Sequence, residues 1–330
     1  MLTREFVQAL PKAELHLHLE GAVPWAMVRA HAGDGPARPP WWADGHRFAD
    51  FMEFRGAVQT CMRCLVDAPA YGAVAGAIFR DLVAQNVRYV EISFDIVRVL
   101  DKALAVADVV AAMKAAAPPG LSARIFAAFS QHKPERTPPQ VVRTVLDAPM
   151  LDGISLHGDE TVQSVDVFVD AFAEARRRGL ATKAHAGELL GPASVVRVLD
   201  LLGVRRIEHG VRAMEDPALV DRLAAEAITL DVCPWSNIRL RVIRDLAGHP
   251  IHRLHRRGVP VTVNTDDPTV FGRTLSQEIA SLVDDLGFSM SDVARLQANA
   301  FAVAGMPASA RDAVVAEIEA LVREIEPGKA

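Results

Sequence analysis

The chain has 330 residues, half of them hydrophobic and 23% charged, the composition of a globular protein with room for a large core. A net charge of −5 and a pI near 6.1 exclude the basic surface that a nucleic-acid binder needs. Three cysteines imply no disulfide framework, and no apolar run reaches signal-peptide or membrane-spanning length, so a cytoplasmic protein is expected.

Short apolar runs alternate with helix-length segments, the pattern of βα units around a parallel sheet. The spacing predicts strands at Glu14–His18, Arg88–Phe94, Ala123–Ser130, Gly153–Gly158, Ala181–Ala186, Arg206–His209, Ile228–Cys233 and Val259–Thr265. Each run is nearly continuous in apolar residues, as strands buried on both faces are. The expected fold is therefore α/β, a (β/α)8 TIM barrel forming one domain over residues 1–330. A helical insertion follows strand 1, because roughly seventy residues separate the first two strands, far more than one crossover requires. It opens with a Gly/Pro-rich turn from Gly33 to Pro40 and carries Trp41, Trp42, Phe48, Phe51 and Phe54. Such a loop at a barrel's C-terminal face covers the active site or docks as an ordinary helical pair. Cys61-x-x-Cys64 has the spacing of half a zinc site or a redox pair, but no second pair completes it, and its helical flanks predict packed thiols. A helix over Val165–Arg178 is expected to bury Val167, Phe168, Ala171, Phe172 and Ala175 and to stop at Gly179. The run Arg176–Arg178 then falls at the helix C-terminus as a solvated face that suits the dipole. Pro217–Ala225 and Leu275–Leu286 read as helices, and Ser291–Ile325 as two or three extra C-terminal helices.

The polar residues at strand ends are not demanded by the fold. The first strand ends His16-Leu17-His18, and residues two apart on a strand share a side, so both imidazoles can face the barrel mouth. His185 follows strand 5, His209 ends strand 6, and Asp266 and Asp267 end strand 8. Taken singly, a histidine at a strand end is most often a satisfied core or surface residue. Their joint placement on strands 1, 5, 6 and 8 points to a shared site. Three imidazoles and a carboxylate suit a borderline metal such as Zn²⁺, leaving a position open for water whose pKa falls from 15.7 to roughly 7. Glu188 stands three residues after His185, beyond small Ala186 and Gly187, and can bring a carboxyl group near the metal without ligating it. Partial burial would let it hold a proton near neutrality; its bland alternative is a helix N-terminal glutamate stabilised by the dipole.

The segments Pro11–Gly21, His185-Ala186-Gly187-Glu188, Glu208-His209-Gly210, Cys233-Pro234-Trp235-Ser236-Asn237 and Asn264-Thr265-Asp266-Asp267-Pro268 closely resemble the adenosine/adenine deaminase family of the amidohydrolase superfamily. Their order and spacing match from about residue 8 to about residue 305. The resemblance implies one Zn²⁺ per chain held by His16, His18, His185 and Asp266. It implies that His209 positions or deprotonates the attacking water, that Glu188 protonates the purine at N1, and that Asp267 binds N7 or helps hold the water. Gly158, after strand 4, matches a glycine whose backbone N–H meets N3, a close approach that glycine permits. The implied partner is a small purine nucleoside or base, with no nucleic acid and no membrane.

Departures from the family pattern bear on the substrate. Adenosine deaminases usually carry Asp after His-x-His-Leu, where it reaches the ribose 5′-hydroxyl; here the residue is Glu20. Glu20 and Glu208 lean toward the adenine branch, whereas Gly158-Asp159-Glu160 and the Asn264–Pro268 run look more like the nucleoside branch. Adenosine is the first expectation, with adenine or a 5′-modified nucleoside such as aminodeoxyfutalosine as the alternative. A binuclear amidohydrolase would need a lysine at the end of strand 4, where the chain reads Ile154-Ser155-Leu156-His157-Gly158. A non-catalytic barrel would have lost part of the set, yet Glu188, His209 and Asp267 are all present. The His-x-Glu and Pro-Cys-x-x-Cys pattern of zinc cytidine-type deaminases is absent.

Overall fold

The computed structural model describes residues 3–33, 36–162 and 164–325. Eight strands run in chain order around one parallel sheet: β1 Lys12–His18, β2 Val87–Asp95, β3 Ser122–Ser130, β4 Gly153–His157, β5 Ala181–Ala186, β6 Arg206–His209, β7 Thr229–Val232 and β8 Val261–Val263. Each pairs in parallel with the next. The seam closes just past β8, where His18 N donates to Asp266 O at 2.9 Å and Asp266 N donates to His16 O at 2.9 Å. This is the expected (β/α)8 barrel.

The observed strands match the expected ones to within two residues at every end, and two of the two-residue differences have side-chain causes. β1 starts at Lys12, which reads as polar in sequence; its buried ammonium donates to Leu10 O and Gln85 O at 2.9 and 2.6 Å. β8 stops at Val263 because Asn264 and Thr265 leave the ladder and bond to β1 through side chains. Asn264 Oδ1 accepts from Leu15 N at 2.8 Å, and Thr265 donates from its hydroxyl and its backbone to Glu14 at 2.9 and 3.2 Å.

Helices pack outside the strands, with Phe, Val, Leu and Ile filling the layer between. Over residues 165–178 the expected helix is divided: a 3-10 turn, Val165–Phe168, precedes an α-helix, Val169–Arg177, and the chain turns off at Gly179 with φ +75°. Phe168, Ala171, Phe172 and Ala175 are buried as expected, but Val167 is 58% exposed. Three residues per turn rotate Val167 away from the stripe that a continuous α-helix would give it. The terminal segment forms two helices, Met290–Val303 and Ala308–Ile325. No helix among the described residues is long and apolar enough to cross a membrane.

The insertion after β1 contains helices Leu19–Ala22, Trp25–Ala32 and Phe51–Cys61 before the crossover helix Ala68–Ala84. Within its Gly/Pro-rich turn, residues 34 and 35 lie outside the described part. The aromatics divide their work. Trp41 and Trp42 donate from their indole nitrogens to Thr269 O at 3.3 and 2.6 Å, tying the insertion to the segment after β8. Phe48 and Phe54 pack on Phe271, and Phe51 and Phe54 line the cavity over the barrel mouth. Cys61 and Cys64 are buried free thiols, and burial pushes Cys61 up to about 12, so they serve packing.

Candidate active site

The strand ends bring the predicted residues together at one rim. The period of two along β1 turns His16 and His18 to the same side, and His185 from β5 meets them. The Asn264–Asp267 segment, held by the side-chain bonds described above, delivers Asp266 with φ +63°, and His209 at the end of β6 has φ +69°. Left-handed backbone at two non-glycine residues costs of order 1–3 kcal/mol each, and here it aims both side chains at one point. One ligand atom from each of His16, His18, His185 and Asp266 lies within 4.8 Å of all the others, and all four residues are buried.

Proton positions in this cage follow from its outer partners. His16 Nδ1 faces the Asp231 carbonyl at 3.1 Å, and His185 Nδ1 faces the Leu156 carbonyl at 3.0 Å. Both nitrogens therefore carry the hydrogen. Ser93 Oγ donates to Leu17 O at 3.2 Å and so accepts from His18 Nδ1 at 3.0 Å. All three Nε2 atoms are left bare, yet they stand 3.3 Å apart from His16 to His18 and from His18 to His185. Asp266 Oδ1 is 3.4 and 3.3 Å from the first two. Four groups that can each offer a lone pair, packed this closely, call for a positive charge between them. Ligands at the 2.0–2.1 Å typical of zinc, arranged tetrahedrally, would be about 3.3–3.4 Å apart, which is the spacing of the His16–His18, His18–His185, His16–Asp266 and His18–Asp266 pairs. The residues fit the metal.

Support continues outward. Ser236 Oγ donates to Asp266 Oδ2 at 2.7 Å. Glu208 Oε2 lies 3.1 Å from His185 Nδ1, while Lys183 Nζ lies 3.1 Å from Glu208 Oε1 and donates to Leu15 O at 2.5 Å. Burial opposes the charge on Glu208, but Lys183 outweighs it and holds the carboxyl well below its ordinary range. Burial likewise opposes a charge on His185, yet Glu208 and Asp266 push it up to about 9, so the cage favours a positive charge, which a proton on Nε2 supplies until a metal ion takes its place. Partners of this kind fix ring orientation and raise ligand basicity.

Two acids complete the site. Glu188 is buried, with Oε1 unpartnered and 3.5 Å from His209 Nε2. Burial, then the nearby Asp266 charge, raises its pKa well above the carboxylate range, so it holds a proton at neutral pH. Its turn is anchored by Glu160, whose Oε2 accepts from Glu188 N and Leu190 N at 3.1 and 2.8 Å. Asp267 is also buried and held protonated, first by burial and then by Asp266. It lies against Gly21, where any Cβ would overlap its carboxyl group.

A cavity opens over the cage, lined by Glu20, Asp95, Arg98, His157, Gly158, Glu188 and Asp267 together with the Phe51–Cys61 helix. Gly158 has φ +96°, and a Cβ there would press on His132. Glu20 accepts from Asp95 N at 2.9 Å, and burial followed by the Asp95 charge pushes it up to about 7. Every residue given a metal-binding, catalytic or substrate role from the sequence borders either the cage or this cavity. Sequence reasoning missed the roles of Gly21, Ser93, Asp95, His157, Glu160 and Ser236. His157 ends β4 as His209 ends β6, a signal that could have flagged it.

A cage with these donors, on the C-terminal rim of a closed parallel barrel, defines an amidohydrolase-type enzyme. Residues 11–321 match the family model for adenosine deaminase. An adenine deaminase from Rhodospirillum rubrum is 35% identical over 309 residues, covering 89% of this chain and 92% of its own. The crystal structure of an adenine deaminase from Arthrobacter aurescens superposes with a TM-score of 0.87 at 31% identity, covering 95% of this chain and 99% of that one. A Burkholderia ambifaria amidohydrolase crystallised with bound Zn gives a TM-score of 0.83 at 25% identity, covering 98% and 94%. The chain belongs to the adenosine deaminase family; it is a hydrolytic deaminase that cleaves a carbon–nitrogen bond of a purine.

Proposed function

We propose that this enzyme deaminates adenine as the free base, with one Zn²⁺ per chain held by His16, His18, His185 and Asp266. Water and adenine give hypoxanthine and ammonia. The observation that carries the reading is the set of bare nitrogens and one carboxylate oxygen spaced 3.3–3.4 Å apart beside a protonated Glu188. A zinc ion held there would lower the pKa of water toward neutrality and so supply a nucleophile. Glu188 gives its proton to N1, which makes C6 electrophilic. Asp267 binds the purine at N7, and the Gly158 backbone approaches N3. His209 orients the attacking oxygen through Nε2.

The sequence alone ranks adenosine ahead of adenine; the relatives named adenine deaminase reverse that order. Glu20 supports the reversal. It is buried beside Asp95 in the cavity wall, and a free base carries a ring N–H, replaced by the sugar in a nucleoside, that a carboxyl oxygen can accept. The test is ammonia release from adenine, adenosine and 5′-deoxyadenosine, with metal analysis of the same preparation. Adenine is expected to be turned over with about one zinc per chain. Preference for adenosine would overturn the substrate, and full activity after complete chelation would overturn the metal.

A further inference from the structure

We propose that His249 and Asn237 are positioning residues that fix which ring nitrogen of His209 carries its hydrogen. Among the described residues neither makes a hydrogen bond to a cage ligand, and both are buried. The chain of bonds begins at a donor with only one possible role. Ile251 N–H points to His249 Nδ1 at 3.2 Å, so Nδ1 accepts and the hydrogen of neutral His249 sits on Nε2. Burial, with Arg253 nearby, pushes His249 down to about 3, which keeps it neutral throughout the working range. His249 Nε2 is 3.2 Å from Asn237 Oδ1 and donates to it. That contact orients the Asn237 amide, whose nitrogen then faces His209 Nδ1 at 3.3 Å and donates. His209 Nδ1 accepts, and the imidazole hydrogen is left on Nε2, which points toward Glu188 Oε1 at 3.5 Å and Asp266 Oδ2 at 3.8 Å.

A backbone N–H outside the site thereby sets the polarity of a ring inside it. With the hydrogen on Nε2, His209 meets the reacting oxygen as a hydrogen-bond donor. Without His249, the Asn237 amide can turn over and present its oxygen, which would draw the hydrogen to Nδ1 and leave a lone pair facing the reaction. The consequence for catalysis rests on the reading that His209 acts at the reaction centre; the consequence for the ring itself does not.

The test uses the full-length, zinc-loaded, ¹⁵N-labelled protein and its H249F and H249Q variants. Long-range ¹H–¹⁵N correlation of the His209 ring, assigned by its loss in H209Q, reads which nitrogen is protonated without any substrate. Hydrogen on Nε2 in the wild type and in H249Q, whose amide keeps an N–H toward Asn237, is expected, with redistribution to Nδ1 in H249F. Removing one preorganised donor costs about 10²–10³-fold in kcat, and H249F is expected at about 100-fold with KM and zinc content unchanged. H249Q should recover most of the loss. An unchanged tautomer in H249F, or equal losses in H249F and H249Q, would overturn the proposal. If no purine is turned over by the wild type, the functional reading fails while the spectra still decide this one.

Discussion

Replacing Glu188 by Gln isolates proton transfer from everything else the residue does. The carboxyl group is buried and protonated, because burial and the Asp266 charge outweigh the His185 charge that favours ionisation. Glutamine exchanges one neutral group for another of nearly equal size, so neither the cage nor the fold acquires a new charge. An amide N–H can still donate a hydrogen bond to the ring nitrogen, worth about 1 kcal/mol, but it cannot release the proton. General acid catalysis contributes about 10²–10⁴-fold, or roughly 3–5.5 kcal/mol of barrier. Expected, therefore, is a fall of that size in kcat for adenine, with KM within a few-fold, zinc stoichiometry unchanged and Tm within a few degrees. Steady-state ammonia release, elemental analysis and calorimetry on one preparation supply the three readouts. Turnover within threefold of wild type would remove Glu188 from the proton path, and loss of zinc would mean that the residue holds the cage together.

Three further outcomes are expected. Ser236→Ala removes the hydroxyl that bonds Asp266 Oδ2 at 2.7 Å and should lower zinc affinity or activity by about 10–100-fold, read by competition with a chelator. Gly21→Ala should abolish most activity while circular dichroism stays native: helix propensity favours alanine by up to about 1 kcal/mol, but the Cβ collides with Asp267. An active alanine variant would show that Asp267 has room to move. Glu278 is buried, and burial pushes its pKa from 4.5 up to about 8. A raised folded-state value means that its stabilising protonated form is complete below pH 4.5 and lost as pH rises through 8, by a few kcal/mol at most. Glu278→Gln should thus gain stability relative to wild type between pH 5 and 8 in denaturant melts; a pH-independent difference would refute the assignment.

The barrel was legible because its strands are short apolar runs at regular spacing, and the site because its ligands end those runs. What escaped was whatever depends on three-dimensional neighbours. Val167 lies on the stripe of an α-helix but on the outside of a 3-10 turn, and apolar spacing does not distinguish the two. Glu160 enters the sequence reading only as part of Gly158-Asp159-Glu160, yet its carboxylate fixes the Glu188 turn from 28 residues away along the chain. Gly21 shows no positive φ; its need is the Asp267 carboxyl, about three quarters of the chain distant. The proposed order of substrates turns on Glu20, which in sequence is one methylene longer than Asp and only in three dimensions has Asp95 beside it.

The same blindness hides the charges inside the barrel. Strands read as nearly continuous apolar runs carry Glu91, Lys183, Arg206, Glu208 and Asp231, all buried. Arg206 donates to both oxygens of Glu91 at 2.8 and 2.7 Å and to Asp231 at 2.6 Å. Lys183 stands 3.5 Å from Glu91 and 3.1 Å from Glu208. Breaking a buried pair costs about 3–5 kcal/mol, and a well-packed apolar core often costs nothing by comparison, so stability alone does not account for this ladder. Its two ends do. Glu208 reaches Nδ1 of His185, and the Asp231 backbone carbonyl takes Nδ1 of His16. Charges that look like interruptions of a strand are therefore the far side of the cage: they hold two imidazole rings so that their bare nitrogens face one point.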